Sequence, residues 1–521
     1  MRRVILLGAA AVLIATSARA RPAKPADSAI ILMGASQKIH VRADGKFTAD
    51  VDETYQIQNE EGRARFGTWS QSYNATTTKF KLFGAETIIG SERIPVAEGM
   101  IEDKPVAGDV TGFDQNNQVK ISFPKAEIGA KLHIKYAVKV KQVPFPGQYA
   151  ARFTFGQAYL EEGSVLEIDS KIPLTVHVHD LNQKLKVEKV ESHGGVTHLR
   201  VTLKAPIYEA AMNEPDSYPL SPAEVTSVEV SSAAGYNVFA QAVIQDYERV
   251  LRAPLPPLYA KILKDAAAVK GSPTDVINAV TTGLIDEIRY MGDWRTVKGE
   301  FVPRPLAEVA TTKFGDCKDF AAGTVAILRH LGFKAYPAWI YRGDLPNQMP
   351  TLPIPFSNHA IAYVVTPQGP LWVDATNTAS FAQGTFDDIL NRAALVLDPA
   401  RPRLEHTPAG KPDDARYNSV AHMSLQGDYG VHVEDQTSFI GAAAAPITGA
   451  ELVQSKATID WAVTRALAAT HRIRHSEVGP YNLTSRIVKD ATFQVKLDLD
   501  NYGVRRQLAA VTCWSPTLIR R

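Results

Sequence analysis

One of the two cysteines of this 521-residue chain, Cys317, stands in KFGDCKDFAAG, between a glycine turn and what reads as the first turn of a helix. Asp316 is placed to cap that helix, and Asp319, three residues on, to complete a capping-box arrangement. The unpaired N–H groups and positive dipole end of a helix favour a thiolate over a thiol, although the flanking carboxylates oppose it. A base is therefore needed. His359 opens the strand pattern NHAIAYVVT, and Asp374 closes LWVDAT after a turn through Pro367 and Gly369. Antiparallel pairing of these strands brings His359 and Asp374 side by side. A carboxylate there can fix the imidazole tautomer, the imidazole can take the thiol proton, and the sulfur can attack an acyl carbon to form a thioester. Cys317, His359 and Asp374 are thus a candidate catalytic set.

The tetrahedral intermediate of such an attack needs hydrogen-bond donors for its oxyanion. The backbone N–H of Cys317 is one. Trp294, Tyr290 and Asn358 are candidates for a second oxyanion or cleft contact by nearness in sequence, with core packing or a cleft wall as the plainer role for Tyr290 and Trp294. No metal site or cofactor motif is recognisable. His177, His179 and Asp180 in HVHD lack a further ligand and read as an exposed strand face. DLDNYG at residues 498–503 starts like a calcium loop but carries Tyr502 and Ala509 where oxygen ligands belong. P-loop, dinucleotide and zinc-protease motifs are missing.

The elements that must position the set follow from periodicity. From about Ser28 to Val230, stretches such as KFTADVDETYQIQ, KLHIKYAVKVKQV and HLRVTLKA alternate apolar and polar residues between turn signals. That pattern predicts an antiparallel β-sandwich. From Tyr259 to Tyr290 the period becomes helical, with Val276, Val280, Leu284 and Ile288 on one face. A second amphipathic helix follows Cys317, with Phe320, Ile327, Leu328 and Leu331 inward and Gly332 as its stop. Three strand signals come next, then a linker rich in Pro, Arg and Asp. A further β region begins near Ser419.

The chain opens with Arg2 and Arg3, an apolar run from Val4 to Ala15 and the small-x-small pattern Ala18-Arg19-Ala20, which reads as a secretory signal peptide at residues 1–20. No later stretch approaches about 18 uninterrupted apolar residues, so a soluble, exported (periplasmic or secreted) protein without a transmembrane segment is expected. Without residues 1–20, 54 basic residues face 55 acidic ones, a near-neutral balance that argues against nucleic acid as a partner. Only Cys513 could pair with Cys317, so folding rests on buried apolar surface, and Cys513 beside Trp514 reads as a structural thiol.

In the stretches FGDCKDFAAGTVAILRHLGFKAYPAWI, NHAIAYV and WVDAT the sequence resembles the transglutaminase-like superfamily, over roughly Tyr259 to Leu397. The preceding β region resembles the DUF3857 domain of bacterial exported proteins, most closely at RADGKF and along the approach VPRPLAEVATTKFGDCKD. The resemblance implies a papain-like α/β core with Cys317 as nucleophile, His359 as base and Asp374 as its orienter. The expected architecture is a multidomain α+β protein: a DUF3857-like β-sandwich at 28–230, a transglutaminase-like catalytic domain at 236–400, a linker at 401–418 and a C-terminal β domain at 419–521. That last domain stops abruptly after RRQLAAVTCWSPTLIRR, which predicts an incomplete sandwich open to a partner strand. The expected activity is hydrolysis of a peptide or amide bond, or its transfer to an amine, on a peptide or protein substrate. The alternative is a non-catalytic binding or scaffold protein that uses the same cleft and the flanking β domains.

Overall fold

Alternation is strictest where one face of a strand is sealed. In the computed structural model, which describes residues 21–106, 112–191, 196–212, 225–343, 349–426, 430–468, 472–479 and 485–500, the strand Thr197–Leu203 buries Thr197, Leu199, Val201 and Leu203 and turns the residues between them outward. Each aliphatic side chain buried in this way contributes about 1.5–3 kcal/mol. The expectations for residues 1–20, for Cys513 and for the final tail lie outside the described residues.

Strands β1 (Ile30–Val41), β2 (Phe47–Ile57), β3 (Thr78–Ile89), β4 (Lys131–Val140), β5 (Ser164–Ser170), β6 (Leu185–Glu191) and β7 (Thr197–Leu203) belong to a nine-stranded sheet in the order β6-β7-β5-β1-β2-β4-β3. The expected antiparallel sandwich needs correction here. β5 runs parallel to β1, from Ser164 opposite Ala35 to Ser170 opposite Val41. A period of two specifies which side chains face inward, but not which strand lies alongside. Two three-stranded sheets pack on the large one. Thr68–Asn74, Asn116–Ser122 and Ile101–Pro105 form the first, meeting the large sheet through Trp69, Ile121, Leu132 and Ile134. Ala150–Thr154, Ser227–Ser231 and Thr175–His179 form the second, meeting it through Ile39, Ile168, Val201, Val228 and Val230.

Helices α1 (Asn237–Leu251), α2 (Pro257–Ala267) and α3 (Pro273–Glu287) gather around α4 (Cys317–His330). Ser272 caps α3 in a reciprocal capping box with Asp275, and Pro273 fits its first turn. Its inward face runs through Ile277, Val280, Thr281 and Leu284, one residue round from the expected stripe at Val276. α4 departs further from expectation, because every residue from Cys317 to Leu328 is buried. Helices cover one side of α4 and a sheet the other, and its Ala and Gly residues allow the close approach. A Cβ on Gly323 would stand 2.8 Å from the Tyr259 ring. Gly332, at φ +87°, ends the helix in the left-handed region.

The covering sheet holds β8 (Lys334–Ile340), β9 (His359–Thr366), β10 (Gly369–Val373), β11 (Ala393–Val396) and β12 (Arg403–His406), all antiparallel, in the order β10-β9-β8-β11-β12. β12 lies within the stretch expected to be a linker and forms the sheet's outer strand. Beyond it, β13 (Ala415–Leu425), β14 (Val431–Gly441), β15 (Arg472–Gly479) and β16 (Ala491–Asp500) make a sheet of order β13-β14-β16-β15. Helices α5 (Ala445–Val453) and α6 (Lys456–Ala468) interrupt this region, which strand signals alone had marked as β. The alanines Ala442–Ala444 form a 3-10 turn that leads into α5, and Pro446 fits the first turn of that helix. Among the described residues no helix is long and apolar enough to cross a membrane.

Candidate active site

The site begins with the cap of α4. Asp316 Oδ1 accepts from the backbone N–H of Lys318 at 3.0 Å, and Asp319 Oδ2 accepts from the N–H of Asp316 at 3.2 Å. Cys317 is the first helical residue and is 8% exposed. Its own N–H has no intrahelical acceptor at that position. The two carboxylates that the sequence sets against a thiolate are both paired. Asp316 bonds the buried Lys318 ammonium and accepts from Trp294 Nε1 at 2.8 Å. Asp319 accepts from Arg304 Nε at 3.0 Å and Nη2 at 2.9 Å. Burial, then the charge of Asp316, pushes Asp319 up to about 6 against the pull of Arg304. Burial works against the Lys318 charge, but Asp316, Cys317 and Asp319 together hold it above the ordinary lysine value.

His359 is the first residue of β9 and sits opposite Ile340 at the end of β8. Asp374 directly follows β10, so the β9–β10 hairpin returns it to His359. His359 Nε2 donates to Asp374 Oδ2 at 2.9 Å. Cys317 lies close enough to act on the charge of the ring, and with Nε2 engaged, Nδ1 is the nitrogen left for the thiol. Burial would lower the His359 pKa; the Asp374 charge, its hydrogen bond and the nearby Cys317 push it up to about 10. Asp374 is fully enclosed, yet His359, Arg342 and the Thr376 N–H hold its carboxyl well below the usual carboxylate range against that burial.

Arg342 and Thr376 are parts of the site that the sequence reading missed. Arg342 Nη1 lies 3.3 Å from Asp374 Oδ2, while Nε donates to Asp388 at 2.6 Å and Nη2 to Asn377 at 2.8 Å. Thr376 donates to Asp374 Oδ1 from its N–H at 2.9 Å and its hydroxyl at 2.7 Å. The sequence signals were an arginine two residues past the strand KAYPAWI and the D-x-T spacing of a side-chain-stabilised turn. Both oxygens of Asp374 are thereby engaged, Oδ2 by His359 and Arg342 and Oδ1 by Thr376.

The three candidate donors meet different fates. Trp294 has spent its only side-chain N–H on Asp316. Asn358 Nδ2 donates to Arg342 O at 2.8 Å, and its Oδ1 accepts from Arg342 N at 2.7 Å. Tyr290, on a two-residue strand parallel to Phe314–Gly315, joins Arg342, Asn358, His359 and Thr376 around a cavity of 260 Å³. Burial, followed by the nearby acidic groups of Cys317, Asp316 and Asp374, holds its phenol above the ordinary tyrosine value, so it is a neutral donor. Among the described residues no group of three His, Cys, Asp or Glu side chains is placed to hold a metal ion.

Residues 43–208 match the family described as "Domain of Unknown Function with solved-structure structure (DUF3857)". The solved structure of a candidate protease from Parabacteroides distasonis superposes at TM-score 0.57 with 11% identity, covering 91% of this chain and 93% of that one. The chain shares its fold with that protein over most of its length. A TGase structure (15% identity, 41% of this chain and 51% of that one) and a candidate cysteine protease from Cytophaga hutchinsonii (12% identity, 64% and 76%) each reach a TM-score of 0.18, too low to bear on the fold. No curated protein matches the chain.

Proposed function

We propose that the chain is an exported, transglutaminase-like cysteine enzyme that opens a peptide or amide bond through a thioester on Cys317 and passes the acyl group to water. The observation that carries this reading is the buried His359–Asp374 pair, 2.9 Å apart, beside Cys317 at the first position of α4. In this reading the sulfur attacks the carbonyl carbon while the Cys317 N–H and the Tyr290 phenol face the oxyanion. His359, as an imidazolium, gives its proton to the leaving nitrogen, and the C–N bond breaks. Water, losing a proton to the imidazole, then attacks the thioester, and the C–S bond breaks to release the acid. Asp374 keeps the ring oriented and stabilises its charge throughout. An amine in place of water would give transfer instead.

The layout accompanying this activity is a DUF3857-like β region, a catalytic core that extends to β12, and a C-terminal region with β13 at one edge of its sheet. A partner strand would add there, beside the exposed Tyr417, Val420 and Leu425.

Fluorescein-labelled casein, with and without dansylcadaverine, tests the reaction. The full chain should release labelled peptides, and Cys317→Ala should abolish release while keeping its melting temperature. Dansyl incorporation without release would assign amine transfer. Retention of full activity in Cys317→Ala would rule out the thiol mechanism.

A further inference from the structure

One short piece of the N-terminal β region docks on the segments that lead into the helix carrying Cys317. Gly112–Phe113 pairs in parallel with Gly292–Asp293, and the Trp294 backbone N–H donates to Phe113 O at 2.7 Å. Gly112 fits because it lacks a side chain: a Cβ there would stand 2.5 Å from the Trp294 ring and 2.8 Å from Gly292 O. Trp294 in turn donates to Asp316, the cap of α4. The Phe113 ring meets that of Phe314 at 5.8 Å, three residues before Cys317, and the Arg295 guanidinium lies 5.2 Å over it. Phe113 is nevertheless 45% exposed. An aromatic ring anchored by backbone pairing, a ring contact and a cation, with an open face near a nucleophile, is a preorganised apolar contact surface.

We infer that Phe113 is a specificity-determining residue, which receives an aromatic or branched aliphatic side chain of the acyl donor, and that Gly112 positions it. This rests on the reading of Cys317 as a nucleophile. The N-terminal β region then supplies part of the substrate cleft.

Two thiol-directed probes separate the claims: iodoacetamide, which is small, and N-benzyl iodoacetamide, which carries an apolar ring. Alkylation of Cys317 in the full chain is followed by mass spectrometry. Phe113→Ala should leave the iodoacetamide rate within about twofold of wild type and lower the N-benzyl rate about fivefold or more, the size of effect expected for a lost apolar contact. Gly112→Val, which cannot keep its place against Trp294, should lower the N-benzyl rate at least as much. An unchanged ratio of the two rates in Phe113→Ala overturns the role of Phe113 alone. A wild-type Cys317 inert to iodoacetamide overturns the nucleophile itself, and the inference with it.

Discussion

Asp374 holds His359 by a 2.9 Å hydrogen bond between Oδ2 and Nε2, made across the ends of one antiparallel hairpin. The same carboxylate is anchored from behind by Arg342 at 3.3 Å and by Thr376. The orientation of the imidazole is therefore set through Asp374 by Arg342 and Thr376, which also line the cavity beside the ring.

Arg342→Met tests that anchoring. It keeps the length of the side chain and removes a partner from a fully buried carboxylate. Breaking a buried pair costs about 3–5 kcal/mol, and the partial exposure of Arg342 scales this to about 1–3 kcal/mol. Urea unfolding at pH 7 should show the loss, and casein cleavage should fall with it. Unchanged stability would mean that Thr376 and His359 satisfy Asp374 alone.

The pair also sets a pH dependence. His359 binds its proton more tightly in the folded chain, so the stability it contributes is complete below its unfolded value of about 6.5 and is lost as pH rises through about 10. Asp374 behaves oppositely. Its contribution is complete above the ordinary aspartate range and is lost as pH falls below it. Unfolding free energies of wild type and His359→Ala should converge between pH 7 and pH 10. A constant difference across that window would show that His359 does not titrate there.

Gly323→Ala should destabilise, although Ala is ordinarily the better helix former by about 1 kcal/mol. The new methyl would meet the Tyr259 ring at 2.8 Å and Leu284 at 3.5 Å. Overpacking of this kind costs about 1–3 kcal/mol, enough to reverse the sign. A raised melting temperature would show that Tyr259 can move aside.

How much of this is legible in the sequence depends on distance along the chain. His359 and Asp374 can be paired on paper because a single short turn joins their strands and the ladder does the rest. The cap of α4 is legible for the same reason, since Asp316 and Asp319 act within one helical turn. Arg342 is hidden because its partners Asp374, Thr376 and Asp388 lie on two later loops. Trp294 shows the converse. Nearness to Cys317 suggests a free donor, whereas the fold spends its N–H on Asp316. The parallel neighbour of β5 and the docking of Gly112–Phe113 on Gly292–Asp293 are tertiary choices that no periodicity encodes. Helices α5 and α6 stayed unread because an alanine-rich stretch carries no amphipathic stripe strong enough to announce them.

The most direct test of the central claim is the alkylation rate of Cys317 by iodoacetamide at pH 6, read by mass spectrometry beside Cys513, in the full chain and in His359→Ala. With His359 charged at that pH and near enough to act on the sulfur, wild-type Cys317 should react fast, and the variant about tenfold or more slowly. Equal rates in the two proteins, with Cys317 no faster than Cys513, would contradict an activated thiol.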